Sequence, residues 1–275
     1  MSTQKGPTLS STETAREAAR PTSLPAWQRA LDRAEKQISQ GRYTQAISSL
    51  ERAIAIGADD YACTLRIADL YRTLRQWPAV VAAAEQAIEL APARPAAYEV
   101  LMEVALETGD RERAIVASQA LIKLMPRHIP AYNALGTAYM QIGNVEAAMR
   151  VARTLIRLDP ETPTHHFKMA LLSQHQGEVA LAVHEFMQTI RLAPEGPFAL
   201  AARDALETLD IYQLNQIVTL ALEDVVFRAK LSRDPVDAAI ERGFALSIAG
   251  DHLLTEFCND TLPEFPASSR TLRYN

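Results

Sequence analysis

The stretch IPAYNALGTAYMQIGNVEAAMRVARTLIRLDP, residues 129–160, decides the fold of this chain. Tyr132 and Tyr139 are seven residues apart with apolar or small residues between them, which is the spacing of one helix face. The same kind of spacing returns after Gly143, which permits a tight reversal of the backbone. Pro160 cannot continue a helix, so the unit ends there. The stretch therefore predicts two short helices joined by a tight turn.

This helical unit recurs along the chain with a fixed step. Four residue types return every 34 positions, and a fixed period in this range predicts a solenoid or a related array of repeats. The recurring residues are Pro92, Pro126, Pro160 and Pro194; Leu90, Leu124, Leu158 and Leu192; Gly109, Gly143 and Gly177; and Ala114, Ala148 and Ala182. Small residues such as Gly136 and Ala148 allow the two helices of one unit to approach closely.

The unit resembles the tetratricopeptide repeat, whose pattern is W/Y-x2-L-G-x2-Y followed by G, A, F, A and P. Residues 129–162 match most of these positions and depart from them at Ala152 and Leu155. The resemblance covers roughly residues 27–194. It implies a curved superhelix, and it does not imply one function, because such repeats serve many unrelated partners.

We therefore expect an all-α, right-handed superhelical solenoid of about five helix-turn-helix units, followed by a helical C-terminal extension. We expect a disordered tail over 1–24 and a solenoid over 25–209. The repeats of the solenoid are expected near 27–60, 61–94, 95–128, 129–162 and 163–196, followed by a partial repeat over 197–209. A helical cap or extension over 210–260 and a tail over 261–275 should follow. A cap covers the last apolar face of a solenoid.

Two stretches depart from the repeat pattern. Arg75 occupies the position of the turn glycine in the second repeat, so we expect a differently shaped turn there, with Pro78 starting the next helix. After Pro194 the pattern fades, and we expect one helix over 197–209 and a separate, longer helix from Ile211 to about Leu231. Further along, we expect helix starts at the Asp234-Pro235 pair and at Ser247.

The segment Glu223–Ser247 carries a second, weaker resemblance. It is similar to a helical module found in leader regions of some bacterial peptide natural-product precursors, the nitrile-hydratase-like leader group. The residues that carry it are Phe227, Leu231, Asp234, Pro235, Ala238, Gly243, Phe244, Leu246 and Ser247. The alternative is a helical hairpin that only caps the solenoid.

Composition and charge exclude several classes of protein. The net charge is −5, which argues against a general nucleic-acid binder. The two cysteines, Cys63 and Cys258, form no disulfide framework. No segment has the apolar length of a membrane span, and the first residues contain no apolar run of a secretory signal. We therefore expect a cytoplasmic protein.

No pattern of residues indicates catalysis or a metal site. His165, His166, His175 and His184 fall within one repeat, but their spacing reproduces no metal-binding motif, although His166 falls at an inward packing position. Nucleophile, phosphate-binding and dinucleotide-binding motifs are absent. We expect no enzyme activity, no metal and no cofactor.

Partner binding is the function that the repeat resemblance implies, with the first helix of each unit lining a concave groove. The positions it assigns to the groove are Arg66, Asp69, Arg72, Glu99, Glu103, Glu107, Asn133, Thr137, Met140, Phe167, Lys168 and Leu171. Glu99, Glu103 and Glu107 are four residues apart, so they form an acidic stripe on one helix face.

The acidic stripe can bind a ligand or can pair with arginines of this chain. We expect a peptide or helix with basic residues on the stripe and an apolar anchor near Met140, Phe167 and Leu171. Alternatively, Arg66 and Arg72 pair with the stripe, and solvated pairs of this kind contribute only about 0–1 kcal/mol. Carboxylates at these positions would repel the C-terminal carboxylate of a chaperone tail.

The sequence thus predicts a non-catalytic protein-interaction scaffold or adaptor, or a subunit of a larger assembly. The alternative is a recruitment or maturation factor whose leader-like module, residues 223–247, is recognised by a biosynthetic enzyme.

Overall fold

A computed structural model describes residues 24–261, and this part of the chain forms fourteen helices and no strand. The all-α prediction is therefore confirmed. The expected tails over 1–24 and 261–275 lie outside the described residues, apart from Leu24 and Thr261. The described part of the chain divides into two compact units, with the boundary between residues 108 and 109.

The first unit contains five helices that pack in chain order. They are α1 (Ala26–Ser39), α2 (Tyr43–Ala55), α3 (Asp60–Thr73), α4 (Trp77–Leu90) and α5 (Ala96–Thr108). Alanines supply much of the contact surface, since Ala46, Ala68, Ala84 and Ala87 are fully buried. Their short side chains allow neighbouring helices to lie close together at the density of a protein interior.

The second unit contains nine helices within the described residues. They are α6 (Arg111–Leu124), α7 (Ile129–Gln141), α8 (Val145–Leu158), α9 (Pro163–Gln176), α10 (Val179–Leu192), α11 (Ala199–Glu223), α12 (Val225–Leu231), α13 (Pro235–Glu241) and α14 (Ile248–Thr261). From α6 to α12, each helix packs on the next, as expected for stacked helix pairs.

Gly136 sets the distance between α7 and α8. A Cβ atom added there would lie 3.3 Å from Cγ1 of Val151 on α8, so the two helices are in close contact at this point. Leu135 and Leu155 are buried beside it, and Tyr139 packs against the same cluster. The close approach predicted from Gly136 is confirmed.

The turn before α4 has the same backbone conformation as the equivalent turns, contrary to our expectation. Arg75 has φ +57°, which is the left-handed conformation that Gly41, Gly143 and Gly177 adopt in the equivalent turns, with φ between +71° and +76°. The prediction of a differently shaped turn was wrong, because the backbone keeps its conformation and an arginine carries the strain. Pro78 lies in the first turn of α4, as expected.

The helix after the last repeat is longer than we expected. Residues 199–223 form one continuous helix, α11, where we expected a break near residue 210. The sequence offers neither glycine nor proline there, so nothing ends the helix. The break falls at Asp224, whose carboxylate accepts hydrogen bonds from the backbone N–H groups of Val226 and Phe227 and so caps α12.

The C-terminal extension, α12 to α14, packs on the second half of α11. Ile217 and Ala221 of α11 share one buried cluster with Phe227, Leu231 and Leu254. The expected helix starts are confirmed. Asp234 accepts from the Asp237 N–H group and Ser247 Oγ accepts from the Gly250 N–H group.

Two buried polar side chains of α11 fix this extension in place. Gln213 donates from Nε2 to the Ala245 carbonyl and accepts from the Ala245 N–H group at Oε1, both at 2.8 Å. Asp210 accepts from the N–H group of Ser247 at 2.8 Å and from its hydroxyl at 2.5 Å. Since a Cβ atom at Gly250 would lie 2.6 Å from the Asp210 carboxyl, any larger residue there would displace this carboxyl.

We predict that Arg75→Gly stabilises the protein, because glycine adopts positive φ without a steric penalty. The expected gain in the free energy of unfolding is about 0.5–1 kcal/mol, measured by urea denaturation. The reverse change, Gly143→Arg, has no neighbouring atom to clash with and should cost a similar amount. A loss of stability in Arg75→Gly would contradict the left-handed conformation of this residue.

We also predict that Gln213→Ala destabilises the protein by about 2 kcal/mol, because both hydrogen-bonding groups of Ala245 lose their partner. Urea denaturation measures this loss. Gln216→Ala is the matched control, since this exposed amide donates only to the Tyr212 hydroxyl on the same helix. Equal effects of the two changes would show that Gln213 does not hold the extension.

Candidate partner-binding site

In the first unit, the predicted site residues lie on α3 and α5, and these two helices pack together. Arg72 links them, because its guanidinium donates to Asp69 Oδ1 at 3.0 Å and to Glu103 Oε2 at 2.5 Å. All three side chains are exposed to solvent by a third or more. The acidic stripe is therefore partly neutralised from the neighbouring helix.

Arg66 behaves differently from Arg72. Its guanidinium donates to Glu35 Oε2 of α1 at 2.6 Å. Of the two arginines that the sequence offered as partners for the stripe, Arg72 pairs with Glu103, whereas the acidic partner found for Arg66 is Glu35. Glu99 is half-buried, while Glu107 is exposed.

Two polar depressions lie on this surface. The first has a volume of about 510 Å³ and brings Arg66 and Asp69 together with Ile38 and Tyr43. The second has a volume of about 680 Å³, and its lining consists of Arg72, Thr73, Arg75, Trp77 and Glu107. Both depressions combine carboxylates and guanidiniums with an aromatic ring, a composition suited to a charged or polar segment of polypeptide.

In the second unit, Asn133 and Lys168 are brought together. Lys168 Nζ donates to Asn133 Oδ1 at 3.1 Å, between α9 and α7. Burial lowers the pKa of the Lys168 ammonium from its ordinary value. The Thr137 hydroxyl donates to the Asn133 carbonyl at 2.9 Å, one turn back on its own helix. These groups form a small polar surface with one positive charge.

The three residues predicted as an apolar anchor have separate environments. The Phe167 ring stacks on Phe198 with centroids 4.7 Å apart and meets Phe186 edge-on at 5.9 Å, so it belongs to the packing of the unit. Met140 and Leu171 are 42 % and 40 % exposed. Met140 and Leu171 therefore present more apolar surface to a partner than Phe167, whose side chain is half-buried.

The histidines of the fifth repeat take part in packing. His166 is buried, with Nδ1 2.6 Å from Glu185 Oε2 and Nε2 2.9 Å from the Pro160 carbonyl. This agrees with its predicted inward position. His165 is buried too, and burial lowers its pKa. Within residues 24–261 no group of three or more histidine, cysteine or acidic side chains is placed to hold a metal ion.

Neither cysteine is placed for thiol chemistry. Both thiols are buried and free. Burial raises the pKa of the Cys63 thiol and raises that of Cys258 to about 11. A thiol with a raised pKa is a poor nucleophile at neutral pH, so these residues act as small packing groups.

The leader-like segment places its characteristic residues inside the protein. Phe227, Leu231 and Ala238 are buried, and Phe244 and Leu246 pack against the same cluster. Its exposed apolar residues are Val225, Val226 and Ile240, which do not carry the resemblance.

Sequence reasoning missed a cavity of about 740 Å³ between α10, α11 and the start of α14. Its lining residues are Met187, Gln188, Ile190, Arg191, Arg203, Leu206, Glu207, Asp210, Ile211, Ser247, Ile248, Ala249 and Leu253. The loss of the repeat pattern after Pro194 could have indicated this cavity. When the first helix of a repeat has no second helix packed on it, one of its faces stays uncovered.

Comparisons with known proteins agree with this architecture. Residues 105–174 match the family model described as tetratricopeptide repeat. The structure is similar to that of YrrB, described as a TPR protein with an unusual peptide-binding site, with a TM-score of 0.54 and 14 % identity over 71 % of this chain and 98 % of that one. It is also similar to MamA from Desulfovibrio magneticus, with a TM-score of 0.52 and 17 % identity over 62 % of this chain and 97 % of that one. A search of curated protein sequences gives no match.

None of the helices between residues 24 and 261 combines the length and the apolar character that a membrane span requires.

We predict that the Arg72–Glu103 pair contributes less than about 1 kcal/mol to stability, because both side chains are exposed and screened by water and salt. A double-mutant cycle with Arg72→Ala and Glu103→Ala measures the coupling energy. The coupling should disappear in 1 M salt, where the Debye length is about 3 Å. A coupling of several kcal/mol would mean that the stripe serves stability and is not available to a ligand.

Proposed function

We propose that this chain, which carries tetratricopeptide repeats, is a non-catalytic scaffold or adaptor that holds a peptide or helix of a partner protein against the first helices of its repeats. The observation that carries the proposal is the exposed group formed by Asp69, Arg72, Glu103 and Glu107 on α3 and α5. YrrB, which shares this fold, is described as having a peptide-binding site, and this supports the choice of ligand class.

The charges on α3 and α5 favour a basic ligand. Arg72 is shared between two carboxylates, and Glu107 lies one helical turn beyond Glu103, in a depression that Arg72 and Arg75 also line. A lysine or arginine of the partner can approach Glu107 directly and can compete with Arg72 for Glu103. Because the existing pair is exposed, this exchange costs little free energy.

The first helices of the second unit offer a different surface. The Lys168 ammonium and the Asn133 amide provide donors for carbonyl or carboxylate groups of a ligand. The exposed side chains of Met140 and Leu171 provide apolar contact. Methionine suits such a surface because its flexible side chain adapts to different partners.

The alternative function, recruitment through the leader-like segment, receives less support. An enzyme that recognised Phe227, Leu231 or Phe244 would first have to detach the segment from α11. That step would expose a buried cluster and break the hydrogen bonds of Gln213 and Asp210. The burial of these residues favours a cap.

An affinity capture from a lysate of the source organism tests the proposal. We predict that Glu99→Lys/Glu103→Lys/Glu107→Lys loses at least about 90 % of a captured partner, because charge reversal replaces attraction by repulsion. Quantitative mass spectrometry measures the captured protein, and circular dichroism verifies that each variant is folded.

The matched control is Glu51→Lys/Glu85→Lys/Glu89→Lys, which changes the net charge equally but lies on the second helices α2 and α4. This control should retain the partner. Equal loss in both variants would mean that only the net charge matters, and full retention in both would contradict a site on the first helices.

A further inference from the structure

The first half of α11 continues the 34-residue register at the positions of the first helix of a repeat. In the two preceding repeats a second helix packs on this first helix, but the first half of α11 has no such second helix among the described residues. Arg203 and Glu207 stand 68 positions, two repeats, after Leu135 and Tyr139. In the fourth repeat, these two residues pack against α8. After α11 come two helices of seven residues each, and the extension packs on α11 from Asp210 onward.

The uncovered side of α11 forms one wall of the cavity of about 740 Å³, and α10 and the start of α14 form the others. Its apolar lining residues are Met187, Ile190, Leu206, Ile211, Ile248 and Leu253. Three of them are highly exposed, namely Ile211 at 52 %, Ile248 at 74 % and Leu253 at 50 %. This exposure means that the cavity is an open groove. An open groove suits a macromolecular ligand better than a small molecule, because small molecules usually bind in enclosed pockets.

Charged groups border the groove. The Arg191 guanidinium donates to Gln188 Oε1 and the Arg203 guanidinium donates to the Pro194 carbonyl, each at 2.7 Å. Neither arginine has a carboxylate within salt-bridge distance among residues 24–261. Glu207, one turn from Arg203 on α11, likewise has no ion-pair partner in this part of the chain. The carboxylate of Asp210 also lines the groove, but it is buried and already accepts hydrogen bonds from the N–H group and the hydroxyl of Ser247. The groove therefore presents two unpaired positive charges and one unpaired negative charge to a ligand.

We infer that this groove binds an amphipathic helix of a partner protein, with aliphatic side chains on the groove-facing side, acidic side chains opposite Arg191 and Arg203, and one basic side chain opposite Glu207. The repeat register supports a helix, because a helix covers the equivalent side of α7. Arginine is suited to this role because its planar guanidinium forms two parallel hydrogen bonds with a carboxylate. This site lies on other residues than the proposed groove on the first helices and can serve a second partner.

Two synthetic helical peptides test the inference with the full chain. Each has about 15 residues, a length near which isolated helices become stable, and carries leucines at helical spacing with one lysine placed to meet Glu207. The acidic peptide has glutamates on its other edge, and the basic peptide has lysines there. Fluorescence anisotropy of a labelled peptide measures the dissociation constants.

We expect the acidic peptide to bind more tightly than the basic one. Arg191→Glu/Arg203→Glu should weaken the acidic peptide by at least about tenfold and reverse the preference. Leu253→Ser should weaken both peptides, because the change removes apolar contact. The matched control, Arg153→Glu/Arg157→Glu on α8, carries the same charge change at exposed positions and should leave binding unchanged.

Several results would overturn the inference. They are the absence of binding by either peptide, equal binding of both peptides, or no effect of the arginine changes. If deletion of residues 262–275 tightened binding by about tenfold or more, the occupant would be the chain itself. Self-association of the protein in sedimentation experiments that Leu253→Ser abolishes would identify a second copy as the occupant.

Discussion

Close contact between the two helices of each repeat is the constraint on which the rest of this structure depends. At Gly136, a single added carbon atom would lie 3.3 Å from Val151. Buried alanines occupy the packed faces of helices in other repeats, and their short side chains allow close contact there. Because neighbouring helices are packed at this distance, each first helix is held at a defined position along the chain of repeats. The side chains proposed to meet a partner are therefore carried by rigid elements, which lowers the entropic cost of binding.

Much of the fold was predictable because this constraint requires a periodic pattern of residues in the sequence. Small residues and turn glycines recur every 34 positions, and helix pairs follow from them. The prediction for Arg75 failed for a physical reason: the packing of α3 and α4 holds the turn in its left-handed conformation, whichever residue occupies it. The break expected near residue 210 failed because the loss of the repeat pattern does not end a helix. A helix continues until a residue such as Asp224 caps the next one.

The candidate site was less predictable than the fold. Family positions selected Arg66 and Arg72 alike, yet one pairs with Glu35 and the other with Asp69 and Glu103. Phe167 was expected at a ligand surface, but its ring is used in packing against Phe198. Pairing and aromatic packing depend on side-chain conformation and on residues from neighbouring helices. The sequence pattern specifies which face a residue lies on, but not which neighbour it contacts.

We propose that a partner lies against the first helices of the repeats. Hydrogen–deuterium exchange of the full chain, with and without its captured partner, tests this most directly. We expect binding to slow exchange in α3, α5, α7 or α9 more than in the second helices α4, α8 and α10. Protection confined to residues 224–258, or to the second helices, would contradict it.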